Sequence, residues 1–162
     1  MTALTFATRI DIAPDLREKA IGLLNQQLAS TFDLFGQTKQ AHWNVKGIHF
    51  QQLHELFDTL AETLEEYTDL IAERVTALGG TAFGTVRMSA AASELPEYPL
   101  DAVDGKEHLV ALADRVAALA KTSRAAIDTA SSLGDANTAD LFTEVSRGLD
   151  KYLWFLEAHL TA

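Results

Sequence analysis

Three histidines and an aspartate surround one glycine in the segment "AHWNVKGIHFQQLHELFD", residues 41 to 58. The whole chain has only five histidines among 162 residues, so His42, His49 and His54 form an unusual concentration of imidazole, and Asp58 follows them. Imidazole nitrogen and carboxylate oxygen together suit iron, manganese or zinc. The chain contains no cysteine, which leaves nitrogen and oxygen as its only strong metal ligands.

Helical periodicity predicts that two of these histidines meet. Gly47 separates two long segments in which apolar residues recur every three or four positions. His42 lies near the end of the first segment and His54 near the start of the second, so a tight turn brings them level. Asp58 follows His54 by one helical turn on the same face.

The face that carries His54 continues with carboxylates toward the far end of the second helix. Asp69 and Glu73 form a four-residue pair, about three turns beyond Asp58. A stripe of acids is either a solvated surface or a ligand surface, and its combination with two histidines favours metal binding. Further acids lie in or beside this stripe: Glu62, Glu65 and Glu66.

One chain cannot use all of these ligands together. The 54/58 pair and the 69/73 pair lie roughly 22 Å apart along a helix that rises about 1.5 Å per residue. An antiparallel copy of the helix, related by a two-fold axis near Thr63 and Leu64, places the acids of one chain against the histidines of the other. The spacing predicts two equivalent metal sites shared between subunits.

The periodicity predicts an all-α, ferritin-like four-helix bundle as a single domain over residues 1–162, with a short tail at 1–13. The chain lacks a Glu-x-x-His pair, so the metal site inside the bundle of ordinary ferritins is not encoded. A long crossover joins the second and third helices and carries a short helix near 85–95. The four long helices are expected at about 15–45, 50–78, 104–133 and 135–160.

Composition excludes several classes of protein. The formal net charge is −10, which disfavours nucleic-acid and membrane surfaces and favours cations. The first residues, "MTALTFATRID", have no basic region followed by an apolar run, so no signal peptide is expected. Charged residues interrupt every apolar stretch before it is long enough to span a bilayer.

The segments "KQAHWNVKGIHFQQLHELFD" and "DLIAERVTALGG" resemble the signature of the Dps family of bacterial mini-ferritins, and the likeness extends over nearly the whole chain. The resemblance implies a cytoplasmic shell of twelve subunits that oxidises Fe(II), preferentially with hydrogen peroxide, and stores the ferric mineral. Each site would take two iron ions, or one tightly and one weakly. The family pattern assigns His42, His54 and Asp58 of one subunit and Asp69 and Glu73 of its two-fold mate as ligands.

Other residues receive secondary predictions. Trp43 is either an electron donor to stray oxidants or an aromatic packed at the dimer contact. The three acids Glu62, Glu65 and Glu66 either nucleate mineral or are solvated. The remaining histidines, His49, His108 and His159, are expected on the surface. The resemblance suggests an acidic ion pore built from Asp135, Asp140 and Glu144, although Asp135 is alternatively a helix cap.

Three functions remain open from the sequence. The first is an iron-oxidising store, and the second is an architectural DNA-binding protein of the nucleoid whose metal binding is secondary. The third is a helical assembly without metal. Residues 1–13 contain one arginine and one aspartate rather than a lysine-rich tail, and twelve chains at −10 sum to about −120. DNA binding is therefore expected to be weak or absent.

Overall fold

The computed structural model describes residues 5–161, and these contain five helices and no strand. Four long helices form the ferritin-like bundle, and the short one lies in the crossover, which confirms the predicted fold class. The bounds also agree with the sequence pattern to within a few residues. The helices are α1 (Pro14–Asn44), α2 (Phe50–Ala77), α3 (Val86–Ala92), α4 (Gly105–Ser132) and α5 (Ala136–Leu160).

Local signals explain where the helices begin and turn. Pro14 occupies the first turn of α1, where its missing N–H costs nothing. Asp104 and Glu107 form a reciprocal capping box at the start of α4, as their spacing predicts. Gly47 adopts φ +108°, a conformation that L side chains rarely adopt, and so permits the tight turn between α1 and α2.

The bundle consists of two helical hairpins, α1 with α2 and α4 with α5. Leucine, valine and phenylalanine side chains from all four long helices fill the core between them; the largest fully buried ones include Leu24, Phe57, Leu112 and Phe142. The crossover is fastened to α1 by side chains: Ser89 Oγ donates to the carbonyl of Ala29 at 2.6 Å, and Gln37 Nε2 donates to that of Pro96 at 3.1 Å.

Residues 5–13, before α1, form neither helix nor strand and lie against the bundle. The backbone N–H of Phe6 donates to the carbonyl of Gly79 at 2.7 Å, while Ile10 and Ile12 pack against the core. Residues 5–13 of the expected tail are thus attached, and residues 1–4 lie outside the described part. None of the helices within residues 5–161 is both long and apolar enough to cross a membrane.

One histidine departs from its predicted place. His108 is 1% exposed, so the expectation of a surface residue is wrong, whereas His49 and His159 are exposed as expected. The reason lies in the helical period: position 108 precedes Leu109 and lies one turn before Leu112 on the face of α4 that enters the core. Its Nδ1 is 2.6 Å from the hydroxyl of Tyr98 in the crossover.

Asp135 is a structural residue rather than an exposed pore carboxylate. It is 1% exposed and caps α5, since Oδ1 accepts the backbone N–H of Thr138 at 3.0 Å. The same oxygen pairs with Arg74 Nη2 at 2.6 Å. Because the fold engages both carboxylate oxygens, the assignment of Asp135 to an ion pore is corrected to the alternative, a helix cap. Asp140 and Glu144 remain exposed.

We expect Asp135→Ala to lower the free energy of unfolding by about 2–4 kcal/mol, because it removes the cap and leaves Arg74 without its carboxylate. Asp140→Ala on the same helix is the matched control and should change stability by no more than about 0.5 kcal/mol. Urea unfolding followed by circular dichroism measures both variants. Equal stability of the two would contradict the structural role of Asp135.

Candidate metal centre

The two predicted histidines meet where α1 ends and α2 begins. Their imidazole rings stack with centroids 3.7 Å apart and an angle of 20° between the planes. His42 Nδ1 lies 2.8 Å from the carbonyl oxygen of His54, and His54 Nδ1 lies 2.9 Å from the carbonyl oxygen of His42. Each imidazole ring is therefore hydrogen-bonded to the backbone of the other histidine.

These hydrogen bonds decide which nitrogen faces a ligand. A carbonyl oxygen only accepts, so Nδ1 of both His42 and His54 must carry the hydrogen. In the neutral imidazole the lone pair then lies on Nε2, the form in which histidine binds metal. A metal-binding histidine usually donates its second N–H to a carbonyl or carboxylate, and both rings meet that condition. The donor set therefore fits a metal ion of intermediate softness, such as iron.

Asp58, the third predicted ligand, lies next to His42 but is bonded to a lysine. Its Oδ1 is 3.7 Å from His42 Nδ1 and 2.6 Å from Lys39 Nζ. The Lys39 hydrogen bond lowers the pKa of the Asp58 carboxyl, so the group stays ionised, and its side chain is 44% exposed. Lys39 was not among the residues singled out from the sequence. Its position three before His42, on the same face of α1, is the signal that could have revealed it.

The structure brings His42, His54 and Asp58 together but leaves Asp69 and Glu73 apart from them, farther along α2 and exposed. The three neighbouring acids are also exposed: Glu62, Glu65 and Glu66. Between residues 5 and 161, no group of three or more histidine, aspartate or glutamate side chains in this one chain is arranged to hold a metal ion. The spacing along α2 keeps Asp69 and Glu73 away from His54 and Asp58 of the same chain.

Exposed apolar side chains surround the two histidines. Trp43 is 67% exposed and Ile48 is 93% exposed, and the ring of Phe50 lies 5.0 Å from that of His54. Exposed apolar groups concentrated at one end of a bundle are typical of surfaces that contact another protein. The Trp43 ring is largely exposed and has Lys39 Nζ 5.9 Å from its centre, so its two predicted roles, electron donor and dimer contact, both remain open.

Comparisons with known proteins agree with this fold. The family model of the ferritin-like domain matches residues 21–162. A "DNA protection during starvation protein" of Agrobacterium fabrum is 47% identical over 156 residues, covering 96% of each chain. Both the four-helix architecture and these matches define a ferritin-like protein. The chain belongs, within that class, to the Dps family.

Solved structures give the same result. DpsA14 from Streptomyces coelicolor superposes with a TM-score of 0.93 at 33% identity, covering 99% of this chain and 96% of that one. The Dps protein of Vibrio cholerae, described as a member of the ferritin-like diiron-carboxylate superfamily, gives a TM-score of 0.89 at 26% identity. It covers 99% of this chain and 100% of that one.

We expect Lys39→Met to strengthen divalent-metal binding by about two- to fivefold, because it removes a cation that competes for Asp58 at a solvent-exposed ion pair. Calorimetric titration with Co²⁺ measures the change without redox chemistry. Lys19→Met, an exposed lysine on the same helix, is the control. Weaker binding in Lys39→Met than in the control variant would show that Lys39 supports the site instead of competing for it.

Proposed function

We propose that the protein oxidises Fe(II) and stores the ferric product inside an oligomeric shell, at a ferroxidase site shared by two subunits. The observation that carries this proposal is the pair of histidines whose tautomers are fixed with Nε2 available, next to the ionised carboxylate of Asp58. Membership of the Dps family supports iron storage and protection as the general role. The diiron-carboxylate description of the Vibrio cholerae relative supports iron as the metal.

The arrangement of α2 supports a shared site. Asp69 and Glu73 lie on the exposed face of the helix, roughly 22 Å from His54 and Asp58. A two-fold axis near the middle of α2 would bring the acids of one chain to the histidines of its mate and would generate two equivalent sites. The exposed apolar residues beside the histidines, Trp43 and Ile48, would then be covered by the partner.

The ligand types explain how the site would favour oxidation. The carboxylates of Asp58, Asp69 and Glu73 are anionic and stabilise Fe(III) more than Fe(II), while His42 and His54 hold the substrate ion in place. Two ferrous ions, or one bound tightly and one weakly, each give up one electron. Hydrogen peroxide takes both electrons as its O–O bond breaks, and with two protons it becomes water. The pairing avoids the one-electron step that would release hydroxyl radical.

Residues around the site would extend this chemistry. Trp43 would donate an electron to oxidants that escape the pair, or would pack at the dimer contact. The exposed acids of α2 would nucleate mineral where they face the cavity: Glu62, Glu65 and Glu66. Asp140 and Glu144 near the start of α5 would attract ferrous ions at a shell entrance.

An Asp140→Asn, Glu144→Gln variant should therefore take up iron more slowly at low ferrous concentration, because the charges that attract the ion are removed. An unchanged rate of uptake would show that the entrance lies elsewhere.

The architectural DNA-binding alternative is favoured by the name of the Agrobacterium fabrum relative. Against it stand the net charge of −10 and the attachment of Phe6 to Gly79, which fastens the segment before α1 to the bundle. We therefore propose a dodecamer of two-fold dimers in the bacterial cytoplasm, able to lie near the nucleoid but binding DNA weakly or not at all. Retardation of plasmid DNA at physiological salt, without free divalent metal, would oppose this.

The shared site predicts complementation between inactive variants. His42→Gly with His54→Gly removes one half of the site, and Asp69→Asn with Glu73→Gln removes the other, so each double variant alone should be nearly inactive with peroxide. In a mixed dimer one of the two sites is intact. Random pairing makes half of the dimers mixed, so co-expression should restore roughly a quarter of the parental sites. Ferrous oxidation measured at equal iron gives the fraction.

A site contained within one chain would recover nothing in this experiment. Native mass spectrometry of the co-expressed protein serves as the control, because it shows whether mixed assemblies formed. Mixed assemblies that stay as inactive as either double variant alone would overturn the intersubunit site. Parental activity in the histidine variant alone would overturn the ligand assignment itself.

A further inference from the structure

The chain has three tyrosines, and in the part that the structure describes only Tyr98 hydrogen-bonds to a base. Its hydroxyl lies 2.6 Å from Nδ1 of His108. The hydroxyl of Tyr152 instead meets that of Thr63 at 2.8 Å. That of Tyr67 lies beside Gly148. Tyr152 also donates to the carbonyl of Thr59 at 3.2 Å, which is no base, so Tyr98 is the tyrosine of the described residues whose phenolic proton faces a basic side chain.

His108 is held as a neutral base. Burial lowers the pKa of its imidazole, and the charge of Lys46 lowers it too. The carboxylates of Glu107 and Asp104 act in the opposite direction. The backbone of Asn44 also raises the pKa of the ring. Nε2 is buried and has no hydrogen-bond partner of good geometry within residues 5–161. With its hydrogen on Nε2, the ring accepts the Tyr98 proton at Nδ1. Burial raises the pKa of the Tyr98 phenol, so the hydroxyl keeps its proton at rest.

Arg115 determines how Tyr98 can lose an electron. Its guanidinium carbon lies 5.4 Å from the centre of the Tyr98 ring and is fixed by hydrogen bonds to Gln37 and to the carbonyls of Ala111 and Glu97. A cation over the ring opposes removal of an electron alone, because the product would be a second cation facing the first. Removal of the electron together with the phenolic proton gives a neutral radical, which avoids that repulsion.

We propose that Tyr98 and His108 form a one-electron oxidation site that consumes radical oxidants of the hydroxyl-radical class. The O–H bond of Tyr98 breaks, its proton passes to Nδ1 of His108, and its electron goes to the oxidant, which takes up a solvent proton and becomes water. A ferrous ion then returns one electron to the tyrosyl radical and becomes ferric, and His108 gives the proton back.

The location of the pair suits this role. His108 lies beside the backbone of Asn44, the last residue of α1, two residues beyond His42. Oxidants that form where ferrous iron meets peroxide would therefore arise at the same end of the bundle. The physiological source of the oxidant rests on the proposed function, whereas the proton-coupled oxidation of Tyr98 belongs to the pair alone and can be tested without iron.

The test uses iron-free protein with a photochemical oxidant, a ruthenium tris-bipyridine complex and persulfate, and detects tyrosyl radical by electron paramagnetic resonance. We expect the parent to give a tyrosyl signal that Tyr98→Phe loses and Tyr152→Phe retains. Circular dichroism of each variant shows that the fold is intact. A signal of parental size in Tyr98→Phe would overturn the assignment.

His108→Gln separates a proton acceptor from a structural partner, because glutamine can accept the hydrogen bond of Tyr98 but cannot take its proton. The rate of tyrosyl formation after a laser flash should fall about a hundredfold, within the range that a positioned base contributes. An unchanged rate would overturn the proposal. Because no iron is present, failure here leaves the ferroxidase proposal untouched, and failure of the complementation experiment leaves the tyrosine–histidine pair untouched.

Discussion

Two reciprocal hydrogen bonds join the end of α1 to the start of α2, and the candidate metal centre depends on them. The last carbonyls of a helix have no partner within the helix, and the carbonyl of His42 is one of them. Nδ1 of His54 donates to this carbonyl at 2.9 Å, and Nδ1 of His42 donates to the carbonyl of His54 at 2.8 Å. The contacts that close the helical hairpin are thus the ones that fix both tautomers and leave both Nε2 atoms available.

Charge is distributed unequally between the two halves of the proposed site. Lys39 pairs with Asp58 at 2.6 Å, so the charge of that carboxylate is offset within the chain. Asp69 and Glu73 form no ion pair within residues 5–161 and are exposed. Bringing these two carboxylates toward Asp58 in a dimer adds repulsion that cations relieve. Metal binding and the approach of the acidic half would therefore reinforce each other.

The long helices and the meeting of His42 with His54 were predictable, because they follow from local periodicity, a glycine turn and a capping box. The expected helix near 50–78 corresponds to Phe50–Ala77, and that near 135–160 to Ala136–Leu160. The partners of individual polar side chains were not predictable in the same way. Arg74 meets Asp135 across 61 positions of sequence, and no local pattern encodes that contact. Asp69 and Glu73 remain predictions, since they require a second chain.

The buried position of His108 was not predicted from the sequence. His108 was expected on the surface together with His49 and His159, yet the face of α4 on which it lies is apolar. The end of the crossover, just before α4, contacts the turn between α1 and α2, since the N–H of Lys46 donates to the carbonyl of Val103 at 3.2 Å. The turn that follows His42 is thus held by His54 of α2 on one side and by the end of the crossover on the other. Lys46 and Val103 lie far apart in the sequence, so no ligand motif records the contact that joins them.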